Sequence, residues 1–254
     1  MKFPIIHAHR GMAEFAPENT VPAHMAALSM GFGLEIDLRF TKDRQLVIVH
    51  DRTVDRTTDT SGPPGELTLE ELKAAEAGQW FGEEFSGQKI MTFEETLKLV
   101  RGHSRVPVSL ALDVKDTDEG IEFEVCRLVN ECEMRESVVG IGPMIRNLDL
   151  RKRFKKADEQ FPVACVANDE EEWQGAVEDE FSEWVYGRFV FSTDLADQAH
   201  DAGKRIYSCG HCMLKYEPEN WRRILDACPD ALLTDYPIDC LREWRESASA
   251  VASE

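Results

Sequence analysis

The chain has 254 residues, with 29 Lys and Arg against 48 Asp and Glu, which gives a formal net charge of −19. This length fits one large domain or at most two small ones, and 43% hydrophobic residues are typical of a soluble globular protein. The acidic balance argues against a general nucleic-acid binder and against a polybasic membrane-surface protein. It does not exclude an anionic substrate, because a metal or a few local cations can reverse the field inside one cleft.

Strand-like apolar runs alternate with helix-like segments along the chain. The predicted strands are 5–10, 34–41, 46–50, 106–115, 138–142, 161–167, 185–190, 205–208 and 231–233. The predicted helices lie between Pro17 and Gly31, over 119–132, through Leu150 and Phe154, and over 194–202, 221–228 and 240–247. Such alternation indicates parallel βαβ units.

About eight such units in a chain of this length predict an α/β fold, the (β/α)₈ TIM barrel. A doubly wound open sheet is the alternative, although no Gly-x-Gly-x-x-Gly fingerprint supports a dinucleotide site. The stretch 52–89 breaks the alternation and is rich in Thr, Asp, Gly, Pro and Glu. We therefore predict one barrel domain over residues 1–254, with a small insertion after strand 2 at about 52–90 and a frayed end at 247–254.

No run of 18 apolar residues and no signal-peptide core is visible, so we expect a cytoplasmic protein without a membrane anchor. The seven cysteines form an odd, scattered set, which favours reduced thiols. Cys209 and Cys212 have the spacing of a redox dithiol, but they follow a strand late in the chain. A thioredoxin-like unit would place such a pair near its own start, at a helix N-terminus. A redox or zinc role for this pair is therefore an alternative, and incidental thiols are the expectation.

Charged and polar side chains stand at the ends of several predicted strands. In a barrel of this kind the catalytic groups lie at the C-terminal ends of the strands, so these side chains should converge on one rim. The strand ends are His9-Arg10-Gly11, Glu35-Ile36-Asp37, His50-Asp51, Asp113-Val114-Lys115 and Thr234-Asp235-Tyr236-Pro237.

Glu35 and Asp37 are two residues apart on a strand, so both side chains point to the same face. Two buried carboxylates repel each other, and a divalent cation removes that penalty. Asp113 can supply a third oxygen ligand, and an all-oxygen site suits Mg²⁺ or Ca²⁺ better than Zn²⁺. The alternative is that one or more of these carboxylates forms a salt bridge with Arg39 or Lys115.

His9 and His50 then remain free of the metal and can act as general acid and general base near neutral pH. Arg10 and Lys115 are placed to bind the anionic oxygens of a phosphoryl group. The pair His7 and His9 offers a different interpretation, a metal site like that of metal-dependent amidohydrolases. Such a site needs further histidines on later strands, and the ends of those strands offer none.

The chain resembles the glycerophosphodiester phosphodiesterases, densely over residues 5–72 and again near its C-terminus. The matching segments are His9-Arg10-Gly11, Pro17-Glu18-Asn19-Thr20, Glu35-Ile36-Asp37-Leu38, Thr41-Lys42-Asp43, Val47-Ile48-Val49-His50-Asp51, Leu67-Thr68-Leu69-Glu70-Glu71-Leu72 and Thr234-Asp235-Tyr236-Pro237. The resemblance implies a TIM barrel with an insertion after strand 2, and an enzyme that hydrolyses glycerophosphodiesters to glycerol 3-phosphate and an alcohol. It also implies a small-molecule substrate and three sets of site residues. These are His9 and His50 as acid/base catalysts, Glu35, Asp37 and Asp113 as metal ligands, and Arg10 and Lys115 as phosphate contacts.

Of three departures from the family pattern, the first concerns how the metal sits and the other two concern the head group of the substrate. Asp113 replaces the usual Glu of a Glu-x-Lys motif, the fourth barrel strand ends Gly140-Ile141-Gly142-Pro143-Met144, and Ser208-Cys209-Gly210 stands where a Trp is usual. The head group is therefore open. The alternatives are a phosphodiesterase or phospholipase D-like enzyme for lysophospholipid or sphingolipid-type head groups, and a non-catalytic phosphodiester-binding barrel. The sequence gives no oligomeric state.

Overall fold

The computed structural model describes residues 3–251, with side chains through residue 246. The strands in this range are β1 (Ile5–Ala8), β2 (Gly33–Phe40), β3 (Leu46–Ile48), β4 (Leu110–Val114), β5 (Val138–Ile141), β6 (Ala164–Ala167), β7 (Trp184–Gly187), β8 (Arg205–Ser208) and β9 (Ala231–Thr234). The α-helices are α1 (Val21–Ser29), α2 (Leu69–Ala74), α3 (Phe93–His103), α4 (Ile121–Glu131), α5 (Leu148–Ala157), α6 (Glu170–Glu178), α7 (Thr193–Asp201), α8 (His211–Leu214), α9 (Pro218–Asp226) and α10 (Pro237–Val251).

Eight parallel strands follow one another around the sheet in the order β5-β4-β2-β1-β9-β8-β7-β6. A parallel bridge between Gly140 and Val163 joins the two ends of this order, so the sheet closes. The prediction of a (β/α)₈ barrel is therefore confirmed, and the alternative of an open, doubly wound sheet is wrong. β3 lies off the barrel and pairs antiparallel with the end of β2.

The core has two layers because the strands of a parallel barrel are covered on both faces. Outward-facing side chains pack beneath the helices in the larger apolar cluster. Inward-facing side chains fill the barrel in a second cluster, which includes Ala111, Ile141, Tyr186, Tyr207 and Leu233. No helix among residues 3–251 has both the length and the apolar character needed to cross a bilayer.

Several predicted strands are longer than the observed ones, and the excess lies at their ends. β1 ends at Ala8 rather than residue 10, because Arg10 has a left-handed backbone with φ 55°. β4 and β6 begin at Leu110 and Ala164 rather than at residues 106 and 161. A proline precedes each of them, and proline cannot donate a hydrogen bond to the ladder.

The segment between β3 and α3 packs on a small apolar cluster of its own, which includes Val47, Val54, Leu72 and Ile90. It contains α2 and two short 3₁₀ turns. Capping boxes at Thr68 and Thr92 start α2 and α3, because each threonine hydroxyl accepts from the third helical N–H. The predicted frayed end at 247–254 is not tested. Its side chains lie outside the described residues, and so does its backbone from residue 252 onward.

Candidate active site

Three carboxylates meet at the C-terminal end of the barrel. Glu35 and Asp37 on β2 point inward, and Asp37 is paired in register with Asp113 on β4. One oxygen from each of the three side chains lies within 4.8 Å of the others. Among the described residues this is the group of His, Cys, Asp or Glu side chains that could hold a metal ion, and its donors are all oxygens.

Burial and mutual repulsion shape the charge of this cluster. Burial raises the pKa of Glu35 well above its usual range, and the neighbouring Asp37 and Asp113 raise it further. Burial also raises the pKa of Asp113. Burial would raise the pKa of Asp37 as well, but Lys115, His50 and Arg10 outweigh it and lower that pKa. The cluster is therefore short of positive charge.

Lys115 partly supplies that charge, as one sequence-based alternative foresaw. Its ammonium lies 2.9 Å from Asp37 Oδ1 and donates a hydrogen bond to Asp113 Oδ2. The other predicted partner, Arg39, pairs instead with Asp116 at 2.9 Å and donates to the His50 carbonyl. Asp113 Oδ1 is buried and has no hydrogen-bond partner among the described residues.

The two predicted catalytic histidines flank the cluster, and each is held by its own carboxylate. His9 Nδ1 lies 2.6 Å from Asp235 Oδ1, and His9 Nε2 lies 3.9 Å from Glu35 Oε2. His50 Nδ1 lies 2.8 Å from Asp51 Oδ1. A carboxylate that accepts from Nδ1–H fixes the ring and leaves Nε2 as the nitrogen for proton transfer.

A network of ion pairs connects His50 to Arg10. Arg56 donates to Asp51 at 2.6 Å and to both oxygens of Glu18 at 2.7 Å. Glu18 in turn accepts from Arg10 at 3.2 Å. Charge-assisted, bidentate contacts of this kind hold a guanidinium in one orientation. The network therefore positions the Arg10 side chain and the His50 ring together.

Two tight backbone turns bring donors of Arg10 and Asn19 to the carboxylate cluster. Arg10 N–H donates to Glu35 Oε2 at 3.1 Å, and Asn19, at φ 58°, donates to Asp37 Oδ2 at 2.9 Å.

Gly142 has φ 85°, and a Cβ at this position would lie 2.1 Å from Asp113 Oδ1. Glycine at 142 is therefore required both by the left-handed backbone and by the neighbouring carboxylate.

His7 lies below the cluster. Its ring is fully buried, is stacked 5.3 Å from Tyr207, and has Nε2 3.0 Å from the Val108 carbonyl. Burial lowers the pKa of His7 to about 4. Because the carboxylate cluster contains no histidine, the amidohydrolase-like interpretation with His7 and His9 as ligands has no support in the described residues.

Cys209 and Cys212 are free and buried. Burial raises their pKa values to about 12 and about 11, so both thiols stay protonated at neutral pH. A redox dithiol needs the opposite, a lowered pKa at an exposed position. The geometry agrees with the expectation that these thiols are incidental.

The opposite wall of the barrel mouth is apolar. Ile141 at the end of β5, Tyr186 on β7 and Cys209 after β8 are buried in the inner cluster. Val166 on β6 and Leu214 at the end of α8 are half-buried and pack against the same cluster. The inner side chains of this wall are thus uncharged, whereas the carboxylate cluster and its cations occupy the other side of the mouth.

Four charged residues of the site had no role assigned from sequence. Asp51, Asp235 and Glu18 lie in the motifs that carry the family resemblance. Their positions next to His50, Thr234 and Asn19 were the sequence signal that could have assigned them to the site. Arg56 had no such signal, because its partners lie 5 and 38 residues away and meet it only in the folded loops.

Comparisons with known proteins agree with this geometry. The family model described as "Glycerophosphoryl diester phosphodiesterase family" matches residues 9–239. The proposed glycerophosphodiester phosphodiesterase YhdW of Bacillus subtilis (strain 168) is 37% identical over 164 residues, which are 63% of this chain and 65% of that protein. The glycerophosphodiester phosphodiesterase of Caldanaerobacter subterraneus subsp. tengcongensis is 38% identical over 139 residues, 53% of this chain and 56% of its own. The matched part thus spans less than two thirds of these curated relatives.

Solved structures show the same fold over nearly the whole chain. The glycerophosphodiester phosphodiesterase of Agrobacterium tumefaciens str. C58 superposes with a TM-score of 0.80 at 23% identity, covering 92% of this chain and 97% of that one. A phosphodiesterase of Oleispira antarctica, solved in complex with the product sn-glycerol-3-phosphate, gives 0.75 at 23% identity, covering 94% and 96%. With the family model covering most of its length, the chain belongs to the glycerophosphoryl diester phosphodiesterase family.

Proposed function

We propose that this protein hydrolyses glycerophosphodiesters to glycerol 3-phosphate and an alcohol, with a divalent cation, Mg²⁺ or Ca²⁺, and two histidines. One observation carries the proposal: His9 and His50, each held through Nδ1 by a carboxylate, stand on either side of three clustered carboxylates. Family membership supports it, as does the sn-glycerol-3-phosphate named as product in the Oleispira antarctica structure.

The donor set fits a hard cation. Glu35, Asp37 and Asp113 offer oxygens within 4.8 Å of one another, and Asp113 Oδ1 is buried without a hydrogen-bond partner among the described residues. Oxygen-only ligands suit Mg²⁺ or Ca²⁺. These three side chains would hold the ion, which when bound neutralises negative charge and polarises a phosphoryl oxygen.

Arg10 and Lys115 are the proposed phosphate contacts. Both side chains are 18% exposed, so each keeps one edge open to the barrel mouth while pairing with a carboxylate below. A guanidinium and an ammonium on the same anion stabilise the charge that collects on the non-bridging oxygens during displacement at phosphorus.

His9 and His50 supply the proton transfers. One Nε2 takes a proton from the nucleophile as its oxygen bonds to phosphorus, and the other Nε2 gives a proton to the alcohol oxygen as its bond to phosphorus breaks. The nucleophile is water or the substrate's own glycerol hydroxyl. In the second case a cyclic phosphate forms first and water then opens it, with the two histidines exchanging roles.

Release of glycerol 3-phosphate from glycerophosphocholine and glycerophosphoethanolamine tests the proposal. We expect release with Mg²⁺ or Ca²⁺ and none with EDTA. The absence of release from every glycerophosphodiester, with either cation present, would refute hydrolysis and leave a phosphodiester-binding barrel.

His50→Ala tests the division of roles. Loss of a general acid or base lowers turnover by roughly 10²–10⁴-fold, while the carboxylates should still bind the cation in a calorimetric titration. His103→Ala, an exposed change at the end of α3, is the matched control and should leave turnover unchanged. If His50→Ala instead removes the cation, His50 is a ligand and the assignment is wrong.

A further inference from the structure

A cleft of about 360 Å³ opens beside the catalytic centre. Its walls are the end of β2 with the turn to β3, the start of the segment after His50, the turn at residues 63–65, and the loop that follows β4. Two bonds connect it to the proposed site: Arg39 donates to the His50 carbonyl at 2.9 Å, and Asp116, the residue after Lys115, accepts from Arg39. The cleft and the catalytic centre are therefore neighbouring parts of one rim.

The lining of this cleft is basic in a strongly acidic chain. It holds four cations, Arg39, Lys42, Arg44 and Arg52, against the carboxylates of Asp116 and Asp118. Asp116 is occupied by Arg39 and by the Phe40 N–H. Within residues 3–251, neither the Lys42 ammonium nor the Arg52 guanidinium makes a hydrogen bond or an ion pair, and both are exposed.

Arg44 adds an independent observation. Its backbone has φ 62°, in the left-handed region where glycine is the favoured residue. Its guanidinium lies 3.8 Å above the Phe40 ring and donates to the Glu119 carbonyl at 2.6 Å. A strained backbone position thus carries an immobilised cation at the edge of the cleft, and such strain persists where the surroundings hold it.

We propose that this cleft is the subsite for the alcohol part of the substrate and that it selects alcohols bearing a second anionic group, a carboxylate or a phosphate. The inference rests on the proposed function. A phosphodiester held by Arg10 and Lys115 has its leaving oxygen near His50 or His9. From the His50 side, the alcohol extends past Arg39 toward Arg52 and Lys42. These two unpaired cations offset the repulsion that a chain of charge −19 exerts on such a substrate.

Glycerophosphoserine and glycerophosphoethanolamine form the matched substrate pair, because they differ by one carboxylate. We expect the wild type to prefer glycerophosphoserine in kcat/KM, and the preference to fall as salt is added. In Arg52→Gln and Lys42→Gln the ratio of the two kcat/KM values should fall by about fivefold each, mainly through KM for the serine compound. Arg105→Gln, exposed before β4 at the other end of the barrel, is the charge-matched control and should leave the ratio unchanged.

The outcomes separate this inference from the proposed function. If the wild type hydrolyses both compounds and the ratio is the same in wild type, Arg52→Gln and Lys42→Gln, the subsite is refuted while the hydrolase stands. If the wild type hydrolyses neither, calorimetric binding of the same two compounds decides the subsite, and the hydrolase proposal fails if no other glycerophosphodiester is hydrolysed. Equal affinities for the two compounds would then overturn the subsite, and tighter serine-compound binding that is lost in Arg52→Gln would support it.

Discussion

The two sides of the barrel mouth carry different chemistry on the same scaffold. Strand ends of β1, β2 and β4 bring carboxylates, His9 and cations together within a few ångström. Strand ends of β5, β7 and β8 bring buried apolar groups, among them Ile141 and Tyr186. We call these the polar side and the apolar side. The repeated βαβ unit sets where a strand ends, and the residue at that end decides whether the position carries a charged group of the proposed site or an uncharged part of its wall.

The apolar side also acts on the polar side. Burial is the largest cause of the raised pKa values of Glu35 and Asp113. An apolar wall opposite a charged cluster excludes water and strengthens each charge interaction inside the mouth. The two sides are therefore distinct in composition but coupled electrostatically.

Among the changes that compare the two sides, the largest effect should follow from Glu35→Gln, a change of nearly equal volume on the polar side. We expect loss of divalent-cation binding in calorimetry and a turnover lower by about 10²–10³-fold. Cys209→Ser is the matched isosteric change on the apolar side and should alter turnover by less than about threefold. Equal losses in the two variants would break the division between the sides.

Gly142→Ala tests the contact between Gly142, which follows β5 on the apolar side, and Asp113 on the polar side. The new Cβ would lie 2.1 Å from Asp113 Oδ1 on a backbone with φ 85°. We expect the free energy of unfolding to fall by about 2–4 kcal/mol in urea denaturation, with turnover about tenfold lower. Gly175→Ala in α6 has no atom within 4 Å of the new Cβ and should be neutral or stabilising by about 0.5–1 kcal/mol. A stable, fully active Gly142→Ala would show that Asp113 can move freely.

Arg56→Gln sharpens the comparison within the polar side. It removes the links from Asp51 to Glu18, so the His50 ring and Arg10 lose their shared support. We expect kcat to fall by about 3–10-fold with a changed pH–rate profile, because the side chain positions catalytic groups without touching substrate. Arg56→Lys keeps the charge without the planar fork and should recover only part of the loss. Unchanged kinetics in Arg56→Gln would mean that the network is dispensable.

The last effect concerns stability rather than turnover and lies beneath the polar side. His24 is fully buried, neither ring nitrogen has a partner among the described residues, and burial lowers its pKa to about 4. Between pH 4 and about pH 6.5, His24 is protonated in the unfolded chain and neutral in the folded chain. The free energy of unfolding therefore keeps its full value above pH 6.5. It falls as pH decreases toward 4, by about 3 kcal/mol for a shift of this size.

His24→Leu should flatten this part of the stability–pH curve, measured by urea denaturation with EDTA at pH 7 and pH 4.5. His7, whose pKa burial also lowers to about 4, keeps its own contribution in the variant. An unchanged slope would show that His24 is protonated in the folded chain at pH 4.5.

The sequence predicted the parts of this site that depend on local rules. Glu35 and Asp37 share a face because side chains alternate along a strand, and Asp113 joins them because parallel strands end at one edge. His9–Asp235 and Arg56–Glu18 were not predictable, since their partners are 226 and 38 residues apart and meet through loop conformation. The basic cleft was not predictable for the same reason, because Arg39, Arg52 and Asp116 belong to three different segments.

The closure of the barrel has a consequence for motion. Between β5 and β6 the described ladder is a single bridge, Gly140 to Val163, whereas β2 and β4 share five paired residues. Local opening costs least where the fewest hydrogen bonds must break. We therefore expect amide hydrogens of β5 to exchange with solvent before those of β2. The barrel should therefore open first at the junction of β5 and β6, while the β2–β4 ladder that carries Glu35, Asp37 and Asp113 stays paired.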